Sequence, residues 1–252
     1  YSLKLTDPKR SGLGHAAFRT PPPQALARRA AALKGSGFDI GWTDGDLGHG
    51  KTFVFKDPDG HRFEIYYDTE WYEAPRDQKP ALKNQAQKFP ARGINVRRID
   101  HFNGLAVDIK ANREFFQNYL GFMLTEQIVL DDGTEAGMWM TATNKSYDFA
   151  YTRDHTGTKG RLHHVTFALD AREDVLRAAD VFLKRHLYRA QRDGLTISEH
   201  FVRLHYPCYW HYDILCALKI FAEIDFTDDE RLTDALDLLE EKALPSGGWS
   251  AE

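Results

Sequence analysis

The chain has 252 residues, 42% of them apolar, which is enough to bury a core in one or two domains. A formal net charge of −4, with no run of Lys and Arg, argues against a nucleic-acid groove or an anionic membrane surface as the main partner. No apolar stretch approaches the roughly 18 to 20 residues that cross a bilayer, and Cys208 and Cys216 are too few for a zinc site or a disulfide framework. Reduced thiols in a cytoplasmic protein are therefore expected.

Tyr1 to Leu5 alternates as a strand, which makes the first residue read as the interior of a truncated N-terminus, and Asp7 to Gly12 reads as a turn. Leu13 to Arg19 is a second strand, carrying His15. Pro21 to Pro23 then open a helix, because proline is tolerated only in the first turn, and Ala25 to Leu33 supply good helix formers up to Gly35. Lys51 to Lys56 and Arg62 to Tyr67 are strands joined by Asp57-Pro58-Asp59-Gly60, a tight-turn sequence. From Asp68 to Val96 the periodicity fades into a linker. A second unit starts at Arg98, with a helix around Arg113 to Leu120 and strands near Phe122 to Leu130, Ala136 to Thr141 and Tyr147 to Thr152. A third begins at Leu162, and Asp170 to Glu173 read as a capping box for its helix. Leu183, Leu187 and Ala190 extend the stripe of that helix as far as Gly194. Beyond it the chain is expected to be helical, with an apolar helix over Tyr212 to Ile224 and another capped by Thr227 to Glu230.

Three units thus open alike, at His15, at Arg98-Ile-Asp-His101-Phe-Asn103 and at Arg161-Leu-His-His164-Val-Thr-Phe167. If the second and third pack as mates, His101 and His164 approach one another. Two imidazoles and one carboxylate with open positions make the facial triad of a non-haem iron site. The first unit shows where such a carboxylate belongs, at Glu64, but the third unit ends before its equivalent strand. Glu199 and Asp213 are the substitutes within reach of the sequence. His15 with Glu64 could form half a site in the first unit. The plain alternative is that His101 and His164 are only hydrogen-bonded strand residues. His163, next to His164, is expected on the opposite strand face, packed or supporting the site.

These histidine strands, with Asp132-Gly133-Thr134, Thr143 to Ala150 and Asp57 to Gly60, resemble the type I extradiol ring-cleavage dioxygenases of the vicinal oxygen chelate superfamily, over residues 1 to 182. The resemblance implies an α+β fold of repeated βαβββ modules (glyoxalase/bleomycin resistance/dioxygenase type), incomplete here, followed by a short all-α tail. It divides the chain into a partial N-terminal domain (1–70), a linker (71–97), a catalytic-type domain (98–182) and the helical tail (183–252). It further implies Fe(II), or Mn(II) in some members, held by His101 and His164, with Asn103 a polar neighbour of the ligands and Trp139 in the substrate pocket. The substrates would be a catechol and O2, with ring cleavage beside the diol, in a homo-oligomer.

Two departures weigh on activity. Tyr147 stands where the family has its acid/base histidine, and a phenol with an ordinary pKa of about 10 is a poor proton shuttle beside an imidazole of about 6.5. The strand with the carboxylate ligand is replaced after Phe182. Arg203 to Leu215, Ala235 to Leu239 and Gly247-Gly-Trp249 resemble instead one helical pair of a prenyltransferase or squalene-cyclase toroid, so the chain reads as a chimera. A non-catalytic remnant of the fold is the competing functional reading.

Overall fold

A computed structural model describes residues 12–71, 73–77, 79–80, 82, 93–208 and 211–250. The strand expected over Tyr1 to Leu5, nearly all of the following turn, residues 83–92 of the linker and two residues of the tail motif, 209 and 210, lie outside the described residues. The chain divides into two compact units, Tyr1–Pro90 with Val96–Ala168, and Ala91–Asn95 with Leu169–Glu252.

The first unit holds two βαβββ modules and one further strand. The first module is β1 (Ala16–Arg19), α1 (Pro23–Leu33), β2 (Asp39–Thr43), β3 (Thr52–Lys56) and β4 (Arg62–Tyr66). The second is β5 (Arg98–Ala106), α2 (Ile109–Phe115), β6 (Met123–Val129), β7 (Glu135–Thr141) and β8 (Phe149–Arg153), followed by β9 (Arg161–Ala168). The sheets run β1-β4-β3-β2 and β6-β7-β8-β5-β9. In each module the last strand lies parallel to the first, pairing Ala17 with Glu64 and Asn103 with Ala150, as a helical crossover requires. β9 runs antiparallel to β5.

Alternation decides what faces inward. On β5, Phe102 is buried while His101 and Asn103 take the other face. Phe102 stacks on Phe149 at 5.5 Å between centroids, and Phe116 approaches Phe149 at 4.5 Å; such pairs add about 0.5–1.5 kcal/mol each beyond burial. Met138, Met140 and Tyr151 complete this side of the core. The Asp57-to-Gly60 turn closes by Gly60 N–H donating to Asp57 O at 2.9 Å, with Gly60 at a φ of 87° that favours glycine. Asp59, projecting from it, accepts from Val107 N, Asp108 N and Asn112 Nδ2, so the hairpin of one module holds the start of α2 in the other.

Several elements differ from the sequence expectation. β2 was missed because its residues are mostly exposed and its ladder shifts between Asp39 and Gly41, which blurs the alternation. α2 begins at Ile109, where Asp108 caps Ala111 N, and Phe116–Leu120 continues as a π-helical turn that stops at Gly121. In the second unit, α3 (Arg172–Leu183) has Ala171 as its N-cap without any side-chain cap bond, so the capping box does not form. Nor does the helix reach Gly194. His186 and Leu187 have φ of 45° and 68°, and Arg189 bridges Thr196. Leu187 nevertheless packs with Leu183, from a turn instead of a helical face. The tail is only partly helical, with α4 (Ile214–Glu223), α5 (Thr233–Glu241) and two short 3-10 turns at Glu199–Phe201 and Glu230–Leu232. Asp229, rather than Thr227, caps the second of these turns. No helix among the described residues is long and apolar enough to cross a membrane.

Candidate metal centre

β5 and β9 carry the two histidines, and the ladder between them is irregular at two places. Ile99 pairs with Phe167 and His101 with Thr166, which leaves Asp100 as an extra residue on β5. Asn103 pairs with His164 and Gly104 with Leu162, which leaves His163 extra on β9. Neighbours on a regular strand point to opposite faces, but a bulge lets them meet. Asp100 Oδ2 therefore lies 2.9 Å from His101 Nδ1, and His163 Nδ1 lies 2.6 Å from His164 Nδ1. This corrects the expected place of His163, whose ring contacts His164 directly.

The Nε2 atoms of His101 and His164 face each other at 3.2 Å, and Thr166 Oγ1 lies 3.1 Å from His101 Nε2. Because Asp100 accepts from His101 Nδ1, the Nε2 lone pair of His101 is left available; a carboxylate on the far nitrogen is the usual support of a metal-binding imidazole. The hydrogen bond from His101 holds the Asp100 carboxyl below its ordinary range. Burial, then the neighbouring His163 and His101, lower the pKa of His164, and burial followed by Arg161 does the same for His163. Neutral rings keep their lone pairs. Two nitrogens bound at about 2.1 Å to one ion at a right angle are about 3 Å apart, so the pair fits two corners of a first-row metal site.

A rung of the sheet explains the neighbours. Trp139 pairs with Ala150, Ala150 with Asn103 and Asn103 with His164, which places Trp139, Asn103 and His164 on one face across four strands. Asn103 is buried and donates to Thr152 Oγ1 at 3.1 Å, while its Oδ1 has no partner among the described residues. Tyr147 sets its ring against His101, 4.8 Å between centroids at 63°. Asp148, bonded to Thr141, Ala142 and Thr143, anchors that turn, and Lys145 donates to the Asp100 carbonyl.

Among the described residues no group of three or more His, Cys, Asp or Glu side chains is placed to hold a metal ion, so the pair has no third protein ligand there. Asp213 is occupied within the tail, accepting from His205 N, His205 Nδ1 and Cys216 N. Glu199 begins the short turn capped by Ser198. In the first module His15 Nε2 lies 3.7 Å from Glu64 Oε2. Sequence reasoning missed Asp100, Thr166 and Lys145. The polar doublets Asp100-His101 and His163-His164 were the visible trace of the bulges.

Residues 98–192 match the profile of the Glyoxalase/Bleomycin resistance protein/Dioxygenase superfamily. The chain has the α+β fold of that superfamily. The chain is similar to the metapyrocatechase of Geobacillus stearothermophilus, 40% identical over 187 residues, covering 74% of this chain and 57% of that protein. The manganese-dependent 2,3-dihydroxybiphenyl 1,2-dioxygenase of Geobacillus genomosp. 3 is 37% identical over 188 residues, covering 74% and 59%. Among solved structures, the 2,3-dioxygenase LapB from Pseudomonas sp. KL28 superposes with a TM-score of 0.55 at 26% identity, covering 66% of this chain and 57% of that one. The chain thus spans less than two thirds of the length of these relatives. The toroid likeness of the tail finds no support in them.

Proposed function

We propose that the chain binds a divalent metal and a catechol in the manner of an extradiol ring-cleavage dioxygenase, with its ring-opening step curtailed. The observation that carries this reading is the 3.2 Å approach of His101 Nε2 to His164 Nε2 on paired strands. Fe(II) or Mn(II) would be held by these two nitrogens, manganese being the metal named for the second Geobacillus relative. When bound, the ion supplies a Lewis-acid anchor for the vicinal oxygens of the catechol. The chain's own part is to orient the two rings through Asp100 and His163, and to offer Trp139 and Asn103 on the same face. Turnover with O2 is curtailed for two reasons. The described residues provide no carboxylate ligand, and Tyr147 sets a phenol against His101 where the resemblance implies an imidazole.

Two measurements test this. Mn(II) titration followed by the loss of free-ion EPR signal should show binding that weakens at least tenfold in His101→Ala and in His164→Ala. Anaerobic loading with Fe(II) and catechol, followed by oxygen, should give the yellow ring-opened product far more slowly than the roughly 1–1000 per second of ordinary enzymes. Turnover in that ordinary range would refute the curtailment, and no metal binding by the wild type would refute the whole reading.

A further inference from the structure

A second cluster of titratable side chains lies in the first unit and takes no part in the proposed site. Asp57 and His61 flank the β3–β4 turn with side chains 0% and 1% exposed, and the Tyr151 residue on β8 is 0% exposed. His61 Nδ1 donates to Asp57 Oδ2 at 2.8 Å, and Tyr151 donates its hydroxyl to the same oxygen. The other ring nitrogen, His61 Nε2, lies 2.9 Å from the carbonyl oxygen of Arg161, the first residue of β9. A carboxylate and a carbonyl can only accept, so both ring nitrogens carry hydrogen and the ring is an imidazolium. Burial opposes that charge, but the hydrogen bond and charge of Asp57, with the Arg161 carbonyl and Asp59, together raise the pKa of His61.

Space for this contact is left by Gly104. It pairs with Leu162 at the step where β9 bulges, and a Cβ there would lie 3.3 Å from His61 Nε2 and overlap the Tyr151 ring. Arg161 and Leu162 immediately precede the bulged His163 and the proposed ligand His164. We infer that His61 is a positioning residue for His164: by gripping the Arg161 carbonyl from the neighbouring module it fixes where β9 bulges, and so where the His164 ring ends up. This rests on the reading of His101 and His164 as metal ligands. It adds that the first module, which provides neither ligand, sets the geometry of one of them.

Three substitutions in the full chain separate positioning from general support. The amide of His61→Asn can replace the Nδ1 bond to Asp57 but falls short of Arg161. The amide of His61→Gln reaches outward as Nε2 does and can restore the Arg161 bond. Tyr151→Phe removes a bond to Asp57 and leaves the His61 to Arg161 contact intact. Mn(II) affinity by EPR and amide hydrogen exchange of residues 162–166 without metal are the readouts. His61→Asn should weaken Mn(II) binding about tenfold or more, the range for groups that orient metal ligands, and speed exchange on β9 by a similar factor. His61→Gln should recover both to within about threefold. Tyr151→Phe should lower thermal stability yet leave Mn(II) affinity within about threefold. Unchanged exchange and affinity in His61→Asn would overturn the inference, as would equal losses in Tyr151→Phe at matched stability. If the wild type takes up no Mn(II), the metal reading fails by itself, and the exchange comparison alone then decides whether His61 fixes β9.

Discussion

Replacing Asp59 by Ala should be among the most damaging single changes in the first unit. Its carboxylate accepts from Val107 N at 2.9 Å, from Asp108 N at 3.3 Å and from Asn112 Nδ2 at 2.7 Å, and the residue is 1% exposed. A hydrogen bond to a charged group contributes about 1.5–3 kcal/mol, and a donor left buried without an acceptor costs about 1–3 kcal/mol. The long Asp108 contact counts for little, and Asn112 keeps its second bond to Asp108 O at 2.7 Å. Two strong bonds are therefore lost, and Val107 N–H is left buried without its acceptor, for a loss of about 3–5 kcal/mol. A domain of 150–250 residues loses about 2–4 °C per kcal/mol, so the melting temperature should fall by about 6–20 °C. Differential scanning calorimetry at neutral pH on wild type, Asp59→Asn and Asp59→Ala measures it, with the Asn variant falling between the others because it keeps one accepting oxygen. A fall of less than about 2 °C in Asp59→Ala would show that the start of α2 does not depend on this side chain.

Gly104→Ala should cost about 1–3 kcal/mol by overpacking, since the added carbon would come within 2.7 Å of Tyr151 Cδ1 in a ring that Asp57 prevents from swinging away; urea denaturation gives the figure. The raised pKa of His61 sets a sign for pH dependence. The group contributes its full stabilisation below the unfolded value of about 6.5, and this is lost as pH rises through the higher folded value. Asp57, Tyr151 and Asp59 are the titratable groups around it, so the comparison is best made against His61→Gln. The melting-temperature advantage of wild type should shrink steadily from pH 6 to pH 9, and a constant difference would contradict the charged ring. In the tail, Asp213→Ala should cost about 1–2 kcal/mol through loss of the α4 cap, more if His205 loses its place, as read by far-UV circular dichroism melts.

What could be read from the sequence was whatever local chemistry determines. Asp57-Pro-Asp-Gly specifies its turn because proline fixes one angle and glycine permits another. The histidine strands announce themselves because Phe102 and Val165 alternate with polar neighbours. The bulges at Asp100 and His163 stayed hidden, since a bulge is a property of two paired strands and neither strand alone encodes it. That is why strand alternation alone does not foretell the ring contact between His163 and His164. The end of α3 was misplaced for a related reason: Leu187 keeps the apolar spacing of the helix, but it reaches the core from a left-handed turn, and periodicity cannot distinguish the two routes. The buried trio of Asp57, His61 and Tyr151 joins residues about 90 positions apart, beyond the reach of any motif.

The two imidazoles differ in how firmly their strands are held. Among the described residues β5 lies between β8 and β9, whereas β9 is bordered by β5 alone. A strand with a ladder on one side detaches at a lower free-energy cost than one in the interior. An ion shared by His101 and His164 would act as a cross-link from border to interior, so its binding energy would appear as resistance of that border to peeling. On warming, release of the ion and detachment of the strand would then be one event, arriving before the rest of the sheet gives way.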